Sequence, residues 1–392
     1  MALEGLPWEY GDAAEMQRLS AKYAGADQGK VTRVFGANFI GRMSGKVVEA
    51  FVAKADLLAA SPAYSDQSGV DWKTAAASAA KVLNHIGGVD GMDPTGWTWY
   101  CNVDDIEKLS PTESPAEILW RGERAKSLSL EEDNFPPTLY GNGRINPTQN
   151  LVDAFPMLNG YPVSHLSGEY DENLPYANRD PRLEAYILYN GCKAGNTNKE
   201  IFTAADGTTN DALNKVVGRS TRTGYYLRKL LRQDISLDPN AKADQYHYTP
   251  RIRYTEIFLA YAEAANQAYG PQDKGGNGYS AYDVVKKLRH RAGIGRDNGD
   301  AYLESIKNDQ AKMAELIRNE RRIELCFEGF RFWDLRRWKS NLTETAKGMN
   351  ISGTRYTPME VDKRSFSEYM YYGPIPYSEV LKYDELKQNQ GW

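Results

Sequence analysis

The chain has 392 residues, of which 48 are Lys or Arg and 52 are Asp or Glu, so its formal net charge is −4. Its basic residues are dispersed, whereas a nucleic-acid-binding protein normally gathers them on one surface, so we expect no nucleic acid partner. Three cysteines, Cys101, Cys192 and Cys326, lack metal-ligand spacing and do not form a disulfide framework. No run of 18 apolar residues occurs, so the sequence predicts no membrane span.

The N-terminal segment lacks the basic and apolar regions of an export signal. After it, apolar residues recur at helical spacing, which predicts a helix over 46–60 and another over 71–86. The face of the first helix that we expect to be buried consists of Val48, Phe51, Val52, Ala55 and Ala59. The corresponding face of the second helix consists of Trp72, Ala76, Ala79 and Leu83.

The same pattern returns in the second half of the chain. Residues 51–56 align with 258–263, and residues 81–87 align with 286–293 when one residue is allowed to slip. Small alanines at the contact positions let two helices approach closely, so each copy is interpreted as a helical hairpin of tetratricopeptide type. The sequence therefore predicts a mainly α fold. The helices predicted for the second copy span 251–268 and 280–291.

Between the two copies, residues 93–245 are rich in Gly, Pro, Asn, Asp and Tyr and show little helical periodicity. Residues 182–189 alternate in the way that predicts a strand, and they are the one confident strand of this region. Long irregular segments inside compact proteins are usually functional. Residues 341–370 are predicted to form a second polar loop before a C-terminal turn and short helix.

Aromatic side chains in the loop region predict a surface that binds sugars. A sugar ring packs its C–H face on an indole or phenol ring, while its hydroxyls need polar neighbours. The alternative for each ring is packing against the scaffold. The candidate ligand-binding residues are Trp97, Trp99, Tyr100, Tyr140, Asn142, Arg144, Tyr161 and Tyr170, with Tyr176 beside them.

Catalytic signals are weak in this sequence. Neighbouring acids at 104–105, 131–133 and 171–172 are candidates for a glycosidase pair by residue type, but adjacent acids in hydrophilic loops are usually solvated. The four histidines are scattered, and no nucleophile-elbow, Walker or zinc-protease motif occurs. Residues 206–211 offer oxygen ligands for Ca²⁺ without EF-hand spacing, so Ca²⁺ stays an open alternative there, and we expect no cofactor.

Segment 312–339 combines an apolar helical row with charges at three- and four-residue spacing. We predict one unbroken helix whose apolar row is buried and whose charges pair along it, notably Glu328 with Arg331. These pairs would fix Trp333 and Trp338 in the fold. The alternative interpretation is that the same charged residues form an active site. The residues of this signature are Glu320, Arg321, Arg322, Glu324, Glu328, Arg331, Trp333 and Asp334.

Residues 319–339, NERRIELCFEGFRFWDLRRWK, resemble the C-terminal signature of the SusD/RagB family. Members of that family are surface glycan-binding lipoproteins of starch-utilisation-like systems in Bacteroidota. Four further segments fit the family in the expected order, namely 41–65, 117–124, 170–191 and 371–392.

The resemblance implies one SusD-like domain over 1–392 that is N-terminally incomplete, because members normally begin with an export signal, a lipidated cysteine and further helices. Tetratricopeptide-like helices at about 41–92 and 246–340 would support a loop-rich glycan-binding region at 93–245. The C-terminal segment would then span 341–392.

The function implied by the resemblance is glycan binding without catalysis at the outer face of the cell outer membrane. The glycan would pass to a SusC-like TonB-dependent transporter, and a lipid anchor absent from this sequence would make the membrane contact. A glycoside hydrolase or lyase is the enzyme alternative, which turnover of polysaccharides distinguishes. A helical-repeat scaffold for protein partners is the second alternative, and it needs a concave helical groove rather than exposed loop aromatics.

Overall fold

The computed structural model describes residues 5–297 and 299–392, and the described chain is mainly helical with small two-stranded sheets. The mainly α prediction is therefore confirmed. The α-helices are α1 (Ala13–Lys22), α2 (Gln28–Phe35), α3 (Gly45–Ala60), α4 (Ser65–Ser68), α5 (Trp72–Asn84), α6 (Val103–Ile106), α7 (Ser129–Asn134), α8 (Gln149–Val152), α9 (Pro181–Tyr186), α10 (Tyr254–Tyr269), α11 (Ala281–Ala292), α12 (Ala301–Ile306), α13 (Gln310–Glu324), α14 (Phe330–Arg337) and α15 (Tyr377–Val380).

The strands form four antiparallel pairs, β1 with β6, β2 with β5, β3 with β4, and β7 with β8. Their bounds are β1 (Ile118–Ser127), β2 (Ile187–Leu188), β3 (Lys193–Ala194), β4 (Lys199–Glu200), β5 (Tyr226–Leu227), β6 (Gln245–Arg253), β7 (Ala346–Ser352) and β8 (Arg355–Asp362). Short 3₁₀ turns span Ala37–Phe39, Gly88–Gly91, Gly96–Thr98, Pro137–Leu139, Leu166–Gly168 and Glu368–Tyr371.

The helical layer consists of two hairpins, α3 with α5 and α10 with α11, and α10 packs against all three of the others as well as α13. Alanines such as Ala76 and Ala79 on α5 and Ala264 on α10 are fully buried. Because these side chains are small, the helices approach closely and α10 is buried on nearly every side. Both predicted hairpins are present within a few residues of their expected bounds.

The predicted buried face of α3 is wrong. The row that faces the core is Val47, Ala50, Ala53, Leu57 and Ala60. Phe51 and Val52, expected inside, are 41% and 45% exposed. The row that faces the core consists mainly of small residues, which allow α3 to approach α5 and α10 closely. Phe51 instead packs edge to face with Trp120, and the two ring centroids are 5.7 Å apart.

The long predicted helix over 312–339 is interrupted. α13 ends at Glu324 and α14 begins at Phe330. Between them Phe327 and Gly329 have φ angles of 64° and 85°, which a right-handed helix cannot accommodate. The interruption turns Glu328 away from Arg331 and toward Arg253 and Lys229.

Sequence alternation misplaced the strands of the loop region. Residues 182–189 form mainly α9, because Asp180 accepts a hydrogen bond from the Arg182 amide at 2.9 Å and Pro181 occupies the first helical turn. The long pair β1–β6 was not predicted, and its register is interrupted by bulges that disturb the alternation. The predicted polar loop at 341–370 contains the hairpin β7–β8.

A buried ion-pair network joins the loop region to the helices. Arg182 Nη1 contacts Glu320 Oε2 at 2.7 Å and Glu324 Oε1 at 2.9 Å, with all three side chains fully buried. Arg289 reaches the other oxygen of Glu320 at 2.8 Å. Burial acts to raise the pKa of Glu324, but nearby guanidinium groups outweigh it and lower that pKa to about 2.

None of the helices in the described chain is long and apolar enough to cross a lipid bilayer.

We expect Glu324→Gln to destabilise the fold by about 3–5 kcal/mol, because it leaves buried guanidinium charge without its carboxylate. The wild-type carboxyl has an ordinary pKa of 4.5 and a folded pKa of about 2, so the unfolded chain binds more protons between those values. Stability should therefore fall as pH drops from about 4.5 toward 2, and less steeply in the variant.

Urea unfolding across this pH range measures both effects. Glu379→Gln is the control, because the Glu379 side chain is 44% exposed and pairs with Lys382 at the surface, and we expect it to change stability by less than about 1 kcal/mol. Equal stability of Glu324→Gln and Glu379→Gln would contradict the structural role of the network.

Candidate functional site

Two of the aromatic sequence candidates are buried. Trp99 and Tyr100 are 4% and 6% exposed, and their rings meet edge to face at 5.7 Å. The Tyr100 hydroxyl donates to the Ala185 carbonyl at 3.1 Å. Neither ring can therefore serve as an open sugar platform, and a role of either one in binding a ligand stays a prediction. Trp97, two residues before Trp99 in the same segment, is half-buried.

Trp99 and Tyr100 instead line a cavity of about 560 Å³ beside the β1–β6 pair, together with Tyr248, Glu256 and Phe330. Among the described residues, Trp99 Nε1 and Glu256 Oε2 have no hydrogen-bond partner. Lys54 contacts the other oxygen of Glu256 at 2.8 Å, while burial raises the pKa of this carboxyl. Aromatic residues thus line the cavity, and two of its lining residues carry a buried donor and a buried acceptor without a partner.

Tyr161 belongs to an aromatic cluster that is open to solvent. Its ring centroid lies 4.7 Å from that of His165 and 5.5 Å from that of Tyr302. Tyr161 and Tyr302 are half-buried and His165 is exposed. His165 Nδ1 accepts from the Ser167 amide at 3.1 Å, so the neutral ring carries its proton on Nε2 and offers a donor.

Arg289 holds the two halves of this cluster together. Its Nη2 donates to the Gly160 carbonyl at 2.8 Å, directly before Tyr161, and to Asp300 Oδ1 at 3.1 Å. Asp300 in turn caps α12, the helix that carries Tyr302. The rings are therefore positioned by the same ion-pair network that joins the loop region to the helices, which gives a rigid surface.

The aromatic cluster also shows what the sequence did not reveal. Tyr161 was a candidate, but His165 and Tyr302 were not. Tyr302 lies far along the chain from the loop region and carries no local motif, so one sequence alone gives no signal for it. His165 follows Tyr161 by four residues within a Pro-containing loop, and that spacing was the available hint.

Tyr140 forms a separate exposed site. Its ring is 46% exposed and lies 5.3 Å from the Lys199 ammonium. Asn142 and Arg144 share its turn, but Arg144 pairs with Asp133 at 3.3 Å. Tyr140 thus remains a candidate ring with a cation beside it rather than the centre of the predicted group of hydrogen-bonding residues.

Tyr170 and Tyr176 lie at the edge of the loop region. Tyr170 is half-buried and stacks near the Arg179 guanidinium at 5.5 Å. Tyr176 packs on Tyr189 at 4.2 Å and its hydroxyl contacts that of Tyr225 at 3.2 Å. Tyr176 is therefore part of a core of tyrosines, whereas Tyr170 remains partly exposed.

The signature charges other than Arg331 are paired, although not as predicted. Glu328 contacts Lys229 at 2.6 Å and Arg253 at 2.7 Å instead of Arg331. Asp334 contacts Arg321 at 3.1 Å and also bonds Arg337. The remaining pairs join Glu320 to Arg182 and Arg289, Glu324 to Arg182 and Arg291, and Arg322 to Glu344.

Trp333 is not fixed in the fold, contrary to the prediction. It is 60% exposed and contacts Phe332, which is 52% exposed, edge to face at a centroid distance of 5.0 Å. The tryptophan that the network does fix is Trp338, whose Nε1 donates to Glu263 Oε1 at 2.6 Å. The break before α14 rotates the helix, so that Trp338 faces inward and Trp333 faces solvent.

The open alternative of a Ca²⁺ site at residues 206–211 gains no support. Asp206 accepts from the Gly353 amide at 3.0 Å, and Asp211 accepts from the Thr138 amide at 2.8 Å. Within residues 5–297 and 299–392, no group of three or more His, Cys, Asp or Glu side chains is placed to hold a metal ion.

Comparison with known proteins gives one protein family. A model of the SusD family matches residues 120–392. The chain is 33% identical over 85 residues to SusD-like protein P38 and 32% identical over 152 residues to SusD-like protein P2, both of Formosa agariphila. These alignments cover 21% and 38% of this chain, and they span 16% and 26% of the relatives' own lengths.

Solved structures share the fold. A SusD-like protein from Bacteroides fragilis superposes with a TM-score of 0.67 at 25% identity, covering 93% of this chain and 69% of that one. A SusD-like carbohydrate-binding protein from the same species superposes with a TM-score of 0.65 at 21% identity, covering 97% of this chain and 75% of that one.

The two tryptophans, one buried and one exposed, should respond differently to truncation. We expect Trp99→Ala to cost about 3–5 kcal/mol because it leaves a large cavity in the core. Trp333→Ala should change stability by less than about 1 kcal/mol, because an exposed ring loses little packing. Thermal unfolding of both variants measures this difference, and a Trp333→Ala variant as unstable as Trp99→Ala would contradict the exposed placement.

Proposed function

Because this chain belongs to the SusD family, we propose that it binds an oligosaccharide or polysaccharide through its loop-rich side without cleaving it. The solved relative from Bacteroides fragilis that is described as carbohydrate-binding has the same fold. By the same proposal the protein acts at the cell surface, anchored by lipid, and delivers the glycan to a SusC-like TonB-dependent transporter.

The observation that carries this proposal is the aromatic cluster of Tyr161, His165 and Tyr302. Its rings are partly or fully exposed, which suits contact with the C–H side of a sugar, and His165 and the two phenols supply hydrogen-bonding groups. Because Arg289 fixes both loops, little conformational entropy is lost when a ligand binds. An open surface of this kind suits a polymer better than the half-enclosed cavity at Trp99.

The carboxylates that the sequence offered for hydrolysis support a role without catalysis. Asp104 and Asp105 are exposed in the short helix α6, and Asp171 is exposed in a loop. Glu131 is buried, but it accepts hydrogen bonds from the Arg232 amide at 2.8 Å and from His247 at 3.0 Å. A glycosidase needs two carboxyl groups facing each other across an open cleft, and these acids have other surroundings.

We expect Tyr161→Ala to weaken glycan binding by about 1–3 kcal/mol, the usual cost of removing a large ring contact. Tyr161→Phe keeps the ring and should retain most of the affinity. The assay is affinity gel electrophoresis on neutral and acidic polysaccharides, followed by calorimetry with the polymer that is bound most tightly. Wild-type affinity in Tyr161→Ala would instead direct attention to Tyr140 and Trp97.

We also expect the purified chain to release no reducing sugar from any polysaccharide that it binds. Reducing-end assays over a day at micromolar protein are sensitive to rates far below those of ordinary enzymes, whose turnover numbers are about 1–1000 per second. Release that scales with protein concentration and is lost on mutation of one acidic residue would establish an enzyme instead.

A further inference from the structure

A group of arginines lies where α13, α14 and the segment after β8 meet. We define the arginine cluster as Arg322, Arg331 and Arg364, with Glu344 among them. Arg322 Nη2 lies 4.0 Å and Arg364 Nη1 lies 3.8 Å from Glu344 Oε2. Arg331 is close enough to interact electrostatically with all three of these charges.

The arginine cluster lacks the close carboxylate pairing of buried arginines such as Arg182 and Arg337. Arg182 has three carboxylate partners, and Arg337 contacts both oxygens of Glu263 at 2.6 Å. The Arg331 side chain, by contrast, makes no hydrogen bond or ion pair with any described residue, although Arg331 is half-buried. One carboxylate at 3.8–4.0 Å, beyond hydrogen-bond distance, serves the other two guanidinium groups.

Other acids near the arginine cluster are engaged elsewhere. Asp334 follows Arg331 on α14, but its oxygens bond Arg321 and Arg337. Asp153 interacts electrostatically with Arg322, but it accepts from Gln149 Nε2 at 2.6 Å and also interacts with Arg179. With Glu344 as the local counter-charge, the cluster of three guanidinium groups keeps an excess of positive charge.

This excess carries an energetic cost. Burial, and then the charge of Arg322, lower the pKa of Arg331 to about 10. Burial also lowers the pKa of Arg322. An oxyanion placed among these groups would relieve the repulsion and accept several charge-assisted hydrogen bonds. The surface is open to such a ligand, because the Arg364 side chain is 42% exposed.

We propose that the arginine cluster binds the anionic group, carboxylate or sulfate ester, of an acidic sugar. This inference rests on the proposed glycan-binding function and specifies the class of glycan. Planar guanidinium groups match the geometry of both oxyanions, whereas a neutral sugar leaves the positive charge uncompensated.

A ring that shares an acidic neighbour with the arginine cluster favours a sugar acid over an acidic protein segment. Asp153 interacts electrostatically with both Tyr170 and Arg322, and Tyr170 is partly exposed. Tyr170 was already a candidate sugar contact on sequence grounds. A ring beside a cationic group can bind the C–H face and the anionic substituent of one sugar residue together.

The test compares matched polymers. Polygalacturonate and its carboxyl-reduced form, and carrageenan and its desulfated form, differ mainly in charge. We expect the wild-type chain to bind at least one acidic polymer about tenfold or more tightly than its neutral counterpart, and this preference to shrink as salt rises. The carboxylate and sulfate arms distinguish the two sources of the anion.

Arg331→Gln should lose at least about tenfold in affinity for the acidic polymer while its affinity for the neutral counterpart is unchanged. Its fold should persist, because the substitution removes a charge that burial disfavours, and a melting curve verifies this. Arg364→Gln, at the exposed edge, is the second variant if Arg331→Gln does not fold. Arg33→Gln removes an exposed arginine of α2 and should leave both affinities unchanged.

Three results would overturn the inference. They are equal wild-type affinity for charged and neutral counterparts, an acidic preference that survives in folded Arg331→Gln and Arg364→Gln, and an acidic preference lost equally in Arg33→Gln. The first leaves the proposed function intact if neutral glycans bind. A chain that binds none of the polymers, but captures an acidic peptide through Arg331, would contradict the proposed function as well.

Discussion

The need to neutralise buried arginines organises this molecule. Glu320 and Glu324, one turn apart on α13, gather guanidinium groups from α9 and α11. Because an unpaired buried charge costs several kcal/mol, these segments can dock only where their charges meet. The break after Glu324 follows from the same constraint, since Glu328 must leave the helical path to reach Arg253 and Lys229. A strained φ at Phe327 is the local cost of that connection.

Two places in the described chain combine incompletely paired polar groups with a cavity or an open surface. The cavity beside β1–β6 leaves Trp99 Nε1 and Glu256 Oε2 without partners in the described chain. The arginine cluster leaves Arg331 without a carboxylate. The same fold places carboxylates within 3 Å of the buried Arg182 and Arg337.

Features of the fold could be predicted from the sequence where they depend on residues that are close together along the chain. The helical layer was predicted because alanine rows and apolar periodicity act within one or two helices, yet even there the buried face of α3 was misassigned to Phe51 rather than Ala50 and Ala53. Arg182 looked like part of a strand because its partners, Glu320 and Glu324, lie 138 and 142 residues away. Periodicity carries no information about such pairs.

The loop aromatics show the same limit and its functional consequence. Trp99 and Tyr161 both lie in Gly- and Pro-rich sequence, and nothing local explains why the first is buried and the second is open. The difference comes from what each loop docks against. Tyr161 stays at the surface because Arg289 ties Gly160 to Asp300, which places Tyr302 beside it. Arg289 also contacts Glu320, so the ion-pair network that stabilises the helical layer also fixes the geometry of the rings that would meet a sugar.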